Sequence, residues 1–378
     1  MRILHFSDTH LGFQAFDVVN DVGVNAREQD VYDAFERVVE RVLEIKPDLV
    51  IHSGDFFHRP SPSNRALTFG LEQLRRVCDL KIPVVIIAGN HETPKTIYNS
   101  PILRAFRSLD CVAPFFGERW EKSAFGDVVV HGVPHINDSR LLLQELDRME
   151  PVAGKFNILL LHTSLGKRYL MEEYGEQVFP EAFEAKLGAF QYIALGHWHN
   201  CQQIDLHPNA WYAGSTERLS DTEIGAEKGF LVVETRGKRD SKVHFEAIPT
   251  RPWFKMELND CHQKSLADLT RELDAFRDGH DIQNAIISLN INDIKLEQTL
   301  ELTNMRLRDI FGGCFQLIVK RRSFSDRAFV RHIEANQFDR LDSIFAEYIR
   351  SKYPEDEALA AQLSDRANRY FHLTDKSS

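Results

Sequence analysis

The stretch YIALGHWH, from Tyr192 to His199, joins a short apolar run to two histidines that are separated by one residue. Side chains alternate between the two faces of a strand, so residues two apart point in the same direction. His197 and His199 are therefore predicted to face one spot. An isolated pair of this kind is more often structural than metal-binding, so the rest of the chain has to decide between these two interpretations.

Further short apolar runs with turn residues behind them read RILHFSD, DLVIHSGD, PVVIIAGN, DVVVHGVP, FNILLLHTS and WYAGS. Helical patterns lie between several of these runs, for example Val31, Ala34, Phe35, Val38, Val39 and Val42. Continuous Val, Ile and Leu strands are typical of a sheet that is covered on both faces. Residues 1–250 are therefore predicted to form one layered α/β domain.

The pattern changes after residue 250. Residues 251–324 read as strand, helix, strand, helix and strand, which predicts a compact α/β domain. Residues 325–378 contain only amphipathic helices. One helical stripe there consists of Phe338, Leu341, Ile344, Phe345 and Tyr348.

Composition excludes several protein classes. The chain has 378 residues, 43% of them hydrophobic and 27% charged, which is typical of a globular protein. No apolar run reaches the roughly 18 to 20 residues of a membrane span, and the first residues lack the apolar region of a signal peptide. The expected location is the cytoplasm, away from membranes.

The five cysteines are scattered without CxxC spacing and are expected to be free thiols.

The formal net charge of -10 is unfavourable for a nucleic-acid partner, because phosphate binding usually needs a surplus of Lys and Arg. Bound divalent cations or a local basic patch would have to supply the positive charge.

Metal-competent residues follow the early strands. They are Asp8 and His10, Asp55 and His58, Asn90 and His91, His162, and then His197 and His199. Loops at the carboxyl ends of neighbouring parallel strands converge, so these residues are predicted to share one crevice. Taken singly, Asp8, Asp55 and Asn90 are explained as turn or cap residues. The occurrence of all these residues in this order along the chain favours a single shared site.

The donor types indicate the chemistry. Carboxylate, amide oxygen and imidazole together suit Mn²⁺, Fe²⁺ or Zn²⁺, whereas an all-oxygen set would suit Mg²⁺ or Ca²⁺. Two such ions about 3.5 to 4 Å apart activate a hydroxide that attacks phosphorus. The predicted reaction is phosphoester hydrolysis.

The series DxH, GDxx, GNHE, H and GHxH resembles the signature of the calcineurin-like metallophosphoesterases from Asp8 to His199. Within that superfamily, the opening MRILHFSDTHLG and the segment GSTER are similar to the SbcD-type nuclease subunit, the counterpart of the eukaryotic meiotic-recombination nuclease. The resemblance implies a layered metallophosphoesterase sandwich with a small α/β cap domain and C-terminal helices.

The resemblance also implies roles for individual residues. Asp8, His10, Asp55 and His199 would hold one divalent ion, most suitably Mn²⁺. Asp55, Asn90, His162 and His197 would hold the other, with Asp55 bridging. His91 would donate a proton to the leaving oxygen, and His58 would assist His91 rather than bind metal.

Substrate and partner contacts are predicted outside the metal site. Arg218 in GSTER is a candidate phosphate contact, with a structural ion pair as the alternative. The basic run Lys320, Arg321, Arg322, Arg327 and Arg331 is the best candidate for contacting a DNA backbone, with a solvated charged face as the alternative. The resemblance implies that the terminal helices bind a coiled-coil ATPase of the SbcC type, with packing of the Phe338 to Tyr348 stripe on its own domain as the alternative. It also implies that the chain is a homodimer.

The predicted function is a Mn²⁺-dependent DNA exonuclease and endonuclease that acts with an SMC-like ATPase in double-strand break repair. One alternative is a phosphatase or cyclic-nucleotide phosphodiesterase for small substrates. The other is a non-catalytic binding subunit with a degenerate site. His5, His52, His131 and Trp198 are expected to pack structurally.

Overall fold

The computed structural model describes residues 1–96, 98–171, 176–236, 240–324, 341–353 and 357–374. It consists of two compact units, Met1–Trp253 and Phe254–Ser378. The predicted end of the first domain at residue 250 lies close to this division. The further division into a cap domain and terminal helices stays a prediction, because both segments belong to the second unit.

Two six-stranded sheets form the centre of the first unit. Its strands, in chain order, are β1 Arg2–Phe6, β2 Leu49–His52, β3 Val84–Ile87, β4 Val112–Phe115, β5 Glu121–Phe125, β6 Val128–Val133, β7 Phe156–His162, β8 Tyr192–Gly196, β9 Gln202–Ile204, β10 His207–Tyr212, β11 Gly229–Arg236 and β12 Asp240–Ala247. The first sheet has the order β12-β11-β1-β2-β3-β4, and the second has the order β5-β6-β7-β8-β10-β9.

Helices cover the outer faces of the two sheets. They are α1 Ala26–Ile45, α2 Asn64–Asp79, α3 Ser139–Arg148 and α4 Glu184–Leu187, with 3₁₀ segments at Ile102–Ser108, Lys167–Tyr169, Glu181–Phe183 and Asp221–Glu223. One apolar cluster packs α1 and α2 on the first sheet, and another packs α3 on the second. A third cluster contains residues of both sheets, including Ile51 and Ile158. The predicted layered α/β arrangement is confirmed.

Helix α1 follows directly from its sequence. The Asn25 side chain accepts hydrogen bonds from the backbone N–H groups of Arg27 and Glu28 and so caps the helix. The predicted stripe from Val31 to Val42 is buried against the first sheet. Burial of this face fixes the helix, because apolar residues three and four apart share one side.

Parallel pairing brings the ends of the central strands together. Strands β1, β2, β3 and β4 run parallel, as do β6, β7 and β8. The carboxyl ends of parallel strands lie at the same edge of a sheet, so the polar residues that follow β1, β2 and β3 share an edge.

The second unit contains a three-stranded sheet whose strands lie side by side in chain order. From Trp253 onward the elements are β13 Trp253–Leu258, a 3₁₀ segment Cys261–Gln263, α5 Leu266–Asp278, β14 Ile286–Ile294, α6 Leu296–Glu301, α7 Asn304–Ile310, β15 Gln316–Ser323, α8 Leu341–Lys352 and α9 Glu357–Thr374. The second of the two helices predicted within residues 251–324 is in fact two helices, α6 and α7, because the Thr303 side chain caps α7 by accepting from the Arg306 N–H.

Part of the predicted terminal stripe lies outside the described residues, since Phe338 falls in the gap between 324 and 341. Among the helices that the structure describes, none has both the length and the apolar character needed to cross a membrane.

The expectation of five free thiols was wrong for two cysteines. Cys78 at the end of α2 and Cys111 just before β4 form a disulfide, with their Cα atoms 5.4 Å apart. A sequence separation of 33 residues hides this proximity, which arises because β4 lies next to β3 at the edge of the sheet. Cys201, Cys261 and Cys314 are free.

Candidate metal centre

His197 and His199 were predicted to lie in a strand, but both residues follow the strand and lie outside it. Strand β8 ends at Gly196, and His197 has a φ of 96°. The His197 backbone N–H donates to the Asp8 carboxylate, 3.1 Å from Oδ1 and 3.2 Å from Oδ2. Trp198 packs on the apolar cluster of the second sheet, as predicted.

Left-handed backbone conformations recur at this centre. Asp8, His10 and Asp55 have φ values of 51°, 46° and 56°. Positive φ is uncommon for residues other than glycine, and its clustering at one place is typical of functional sites.

Two glycines of the sequence motifs allow the main chain to approach predicted ligands closely. A Cβ atom on Gly89 would lie 2.2 Å from Asp55 Oδ1. Gly54, with a φ of 105°, would place a Cβ atom 2.3 Å from His162 Nδ1. The glycines before Asp55 and Asn90 are therefore required by the packing of the centre.

The first predicted ligand set comes together in the structure. Ligating atoms of Asp8, His10 and His199 lie within 4.8 Å of one another, and all three residues are buried. The Nε2 atoms of His10 and His199 are 3.3 Å apart. The fourth member, Asp55, has its Oδ2 atom 3.8 Å from His10 Nε2.

The second predicted set surrounds His162. Its Nε2 atom lies 3.1 Å from Asp55 Oδ2 and 3.1 Å from Asn90 Oδ1. Its Nδ1 atom lies 2.9 Å from the Ser53 carbonyl oxygen, which accepts the ring N–H. The His197 ring is 5.6 Å from the His162 ring, and its Nε2 atom is 2.8 Å from a Glu176 oxygen. Asp55 thus faces both sets.

The electrostatics of the centre fit a cation. Asp8 and Asp55 are each 1% exposed. Burial raises the pKa of Asp8, against the opposing charges of His162 and His199. Burial also acts to raise the pKa of Asp55, but the neighbouring histidines, first among them His162, hold it well below its usual range.

The pKa of His162 depends on the same two carboxylates, Asp8 and Asp55. Burial acts to lower the pKa of His162, yet Asp55 and Asp8 raise it to about 10. Buried negative charge of this kind requires a positive partner. Carboxylate, amide and imidazole donors together suit divalent transition metals, so the residues present fit the ions that the motifs predict.

His91 and His58 lie beside the first ligand set. The His91 Nδ1 atom lies 3.0 Å from the His58 carbonyl oxygen, and its Nε2 atom lies 4.0 Å from Asp55 Oδ2. The rings of His58 and His91 stack with centroids 5.2 Å apart. His58 Nδ1 also lies 3.3 Å from His10 Nδ1. His58 therefore contacts both a predicted ligand and the predicted acid.

Two of the arginines predicted to contact substrate, Arg218 and Arg321, donate hydrogen bonds to groups of the protein. The Arg218 guanidinium donates to Thr250 Oγ1 at 2.5 Å and to the carbonyl oxygens of Arg251 and Ala226. Arg321 donates to Leu302 O at 2.9 Å and to Asn304 Oδ1 at 2.8 Å.

The remaining members of the basic run differ in their surroundings. Lys320 and Arg322 are exposed on β15. Arg327 and Arg331 fall outside the residues that the structure describes.

Four acidic or basic residues near the predicted ligands were not predicted from the sequence. They are Glu92, Glu176, Glu223 and Lys228. Glu92 directly follows His91 in the GNHE motif, and this position was the available sequence signal. In the structure its buried carboxylate accepts the Phe56 N–H at 3.2 Å. Glu176, Glu223 and Lys228 stand in no recognisable motif.

The histidines assigned to packing behave as predicted. His5 is buried, with ring nitrogens 2.8 Å from the Tyr192 hydroxyl and 2.9 Å from Ser53 Oγ. His52 contacts Thr9 Oγ1, and His131 contacts Asn157 Oδ1.

Comparison with known proteins agrees with this geometry. Residues 1–201 match the family model described as calcineurin-like phosphoesterase. The DNA double-strand break repair protein Mre11 of Sulfurisphaera tokodaii is 31% identical over 293 residues, which are 75% of this chain and 70% of that protein. Mre11 of Sulfolobus acidocaldarius is 28% identical over 72% and 70% of the respective chains, and Mre11 of Thermoplasma acidophilum is 26% identical over 79% of each.

Proposed function

Because the chain belongs to the calcineurin-like phosphoesterase family and, within it, to the Mre11 proteins, we propose that it is a metal-dependent DNA nuclease of double-strand break repair. The observation that carries this proposal is the position of Asp55. Its Oδ2 atom lies 3.1 Å from His162 Nε2 and 3.8 Å from His10 Nε2. One carboxylate facing both ligand sets supports a pair of divalent ions.

The candidate residues have separate roles in phosphodiester hydrolysis. Asp8, His10 and His199 hold one ion with Asp55, and Asn90, His162 and His197 hold the other with Asp55. When bound, the two ions supply a nucleophile at neutral pH and offset the charge of the phosphate. Mn²⁺ is the proposed metal, because the donors combine imidazole nitrogen with carboxylate and amide oxygen.

His91 is the proposed general acid. Its Nδ1 atom hydrogen-bonds to the His58 carbonyl oxygen, which directs Nε2 toward the carboxylate of Asp55. The His91 side chain is 22% exposed, whereas that of His10 is 1% exposed. A leaving oxygen can therefore approach His91 from solvent.

DNA is the proposed substrate, because the relatives are named as DNA double-strand break repair proteins. Lys320 and Arg322 support this choice, since they are exposed and two residues apart on β15, on one face of the sheet. We propose that they contact DNA phosphates. Arg321 has its guanidinium directed to Leu302 and Asn304, and Arg218 has its guanidinium directed to Thr250, so both are weaker candidates.

The proposed assembly follows the family resemblance. The helices after residue 325 are proposed to bind a coiled-coil ATPase of the SbcC type. A homodimer and a cytoplasmic location are proposed on the same resemblance and on composition.

A cleavage assay tests the function. The full chain is incubated with Mn²⁺ and end-labelled linear or hairpin-ended DNA, alongside bis(p-nitrophenyl) phosphate, with Asp55→Asn as the matched control. Cleavage of DNA by the wild type and none by the control is expected. Hydrolysis of the small diester without DNA cleavage would favour a small-substrate enzyme. Absence of both reactions, with two bound ions, would favour a non-catalytic subunit.

A further inference from the structure

The two nitrogens of the His199 ring have different partners, and the one directed away from the first ligand set contacts a carboxylate. His199 Nδ1 lies 3.1 Å from Glu223 Oε1, and His199 Nε2 faces His10 Nε2 at 3.3 Å. A carboxylate accepts from Nδ1 only when that nitrogen carries the proton. In the neutral ring, the contact with Glu223 therefore selects the tautomer with the proton on Nδ1, and it directs the lone pair of Nε2 toward the first ligand set.

The Glu223 carboxylate is itself fixed on every side. It is 2% exposed. Its Oε1 atom accepts from the backbone N–H groups of Leu219 and Ser220, each at 3.2 Å, and its Oε2 atom accepts from Ser215 Oγ at 3.0 Å. A carboxylate with this many donors has one orientation, and it imposes that orientation on the imidazole.

Lys228 completes the arrangement. It is 1% exposed, and its ammonium donates to Glu223 Oε2, to Ser215 Oγ at 2.9 Å and to the carbonyl oxygen of His199 at 2.7 Å. An ammonium has three donors, and all three are used. The same lysine thus fixes the main chain of His199 and the carboxylate that orients its ring.

A buried ion pair is an expensive way to stabilise a fold, since apolar residues of similar size often do as well. A carboxylate behind a metal-binding histidine has a specific effect, because it fixes the tautomer and makes the other ring nitrogen a stronger ligand. The placement of this ion pair directly behind His199 agrees with that effect.

We propose that Glu223 and Lys228 are positioning residues that set the metal affinity of the ion position formed by Asp8, His10 and His199. Glu223 orients the ring and strengthens Nε2 as a ligand. Lys228 balances the charge of Glu223 and holds the His199 backbone. The inference rests on the proposed metal centre and adds two residues to it.

The two histidines of the GHWH motif are supported differently. His197 uses Nε2 to contact Glu176, at 2.8 Å, so Nδ1 is the nitrogen left for a metal. Glu176 follows a segment outside the described residues and belongs to another part of the chain than Glu223. Changes at Glu223 and Lys228 are therefore expected to act on one ion position and spare the other.

The test is a Mn²⁺ titration of the full chain, with unbound Mn²⁺ counted by electron paramagnetic resonance. In Glu223→Gln, one of two sites should bind about 10- to 100-fold more weakly, the usual effect of losing such a partner. Because this variant leaves a buried ammonium without its counter-charge, Glu223→Gln/Lys228→Met is measured in parallel. The double variant removes both charges and should show the same selective loss.

Saturating Mn²⁺ provides a second readout. DNA cleavage by either variant should recover toward the wild-type rate at high Mn²⁺, because the ligands themselves are unchanged. Glu145→Gln is the matched control, since Glu145 is 5% exposed, accepts the Trp120 N–H at 2.8 Å and pairs with Arg148. It should alter thermal stability without changing either Mn²⁺ affinity.

The possible outcomes separate this inference from the proposed function. A wild type that binds two ions, with variants that bind both at unchanged affinity, overturns the positioning role alone. Equal weakening of both sites also overturns it, because the effect would then be general. A wild type that binds no Mn²⁺ overturns the metal centre and the inference together.

Discussion

The Nε2 atom of His162 lies 3.1 Å from the Oδ2 atom of Asp55, and both side chains are 1% exposed. His162 ends β7 in the second sheet, and Asp55 follows β2 in the first. This contact therefore joins the two sheets at the edge where the proposed metal ligands meet. Removal of the negative charge of Asp55 should therefore affect the proposed ligands from both sheets.

Asp55→Asn is expected to lose both ions and DNA cleavage together. The substitution changes the charge with little disturbance of the backbone, because asparagine tolerates the φ of 56° found here. An asparagine oxygen also retains the hydrogen bond from the His91 N–H, now 2.9 Å long. Metal analysis of the purified variant measures this, with the circular dichroism spectrum as the check on folding. Two tightly bound ions with normal cleavage would show that the bridging assignment is wrong.

Glu217→Gln is expected to remove part of the pH dependence of stability. Burial raises the pKa of Glu217 to about 7, although Arg27 lies 3.6 Å away and acts in the opposite direction. The folded chain then keeps a proton that the unfolded chain has lost, so the free energy of unfolding falls as the pH rises from about 4.5 to about 7. The full effect is about 3 kcal/mol.

Thermal unfolding at pH 5 and pH 8 measures this effect. The difference between the two pH values should be smaller in Glu217→Gln than in the wild type. Glu234→Gln is the control, because Glu234 is 41% exposed and pairs with Arg2 at the surface. If Glu217→Gln and the wild type lost equal stability between the two pH values, the assignment to Glu217 would be wrong.

The fold and the convergence of the candidate ligands could be predicted from the sequence for a physical reason. Parallel strands bring their carboxyl ends to one edge, so Asp8, Asp55 and Asn90 were predicted to meet from local patterns alone. Strand alternation does not place His197, because β8 ends at Gly196 and the left-handed φ of His197 follows from no strand pattern.

Contacts between distant residues were not accessible in this way. Glu223 and Lys228 contact His199 across 24 and 29 residues, and nothing in SDTEIGAEK indicates burial. The Cys78–Cys111 disulfide depends likewise on the order of the strands. Such pairs are defined by tertiary packing and not by periodicity.

Deletion of residues 325–378 is expected to spare the metal centre and abolish binding of the coiled-coil ATPase. All predicted ligands lie at or before His199, in the first unit. The truncated chain should therefore bind two Mn²⁺ ions and hydrolyse bis(p-nitrophenyl) phosphate at the rate of the full chain. Co-purification with the ATPase measures the second effect. A truncated chain that still co-purified with it would exclude the terminal helices as the main binding segment.

His91→Asn is expected to keep both ions and lose cleavage. His91 lies next to the proposed ligand Asn90, yet its Nε2 atom is 4.0 Å from Asp55 Oδ2, and its Nδ1 atom hydrogen-bonds to the His58 carbonyl oxygen. Protonation of a leaving oxygen typically contributes about 10²- to 10⁴-fold in rate, so DNA cleavage should fall within that range.

Comparison of two substrates distinguishes a general-acid role of His91 from a role in metal coordination. Nitrophenolate leaves without much help from a proton, so hydrolysis of bis(p-nitrophenyl) phosphate by His91→Asn should fall much less than DNA cleavage. DNA binding, measured by fluorescence anisotropy, should be unchanged. Equal losses on both substrates with both ions retained would contradict the acid role. Loss of one ion would show instead that His91 supports coordination, through its stacking on His58 and the contact of His58 with His10.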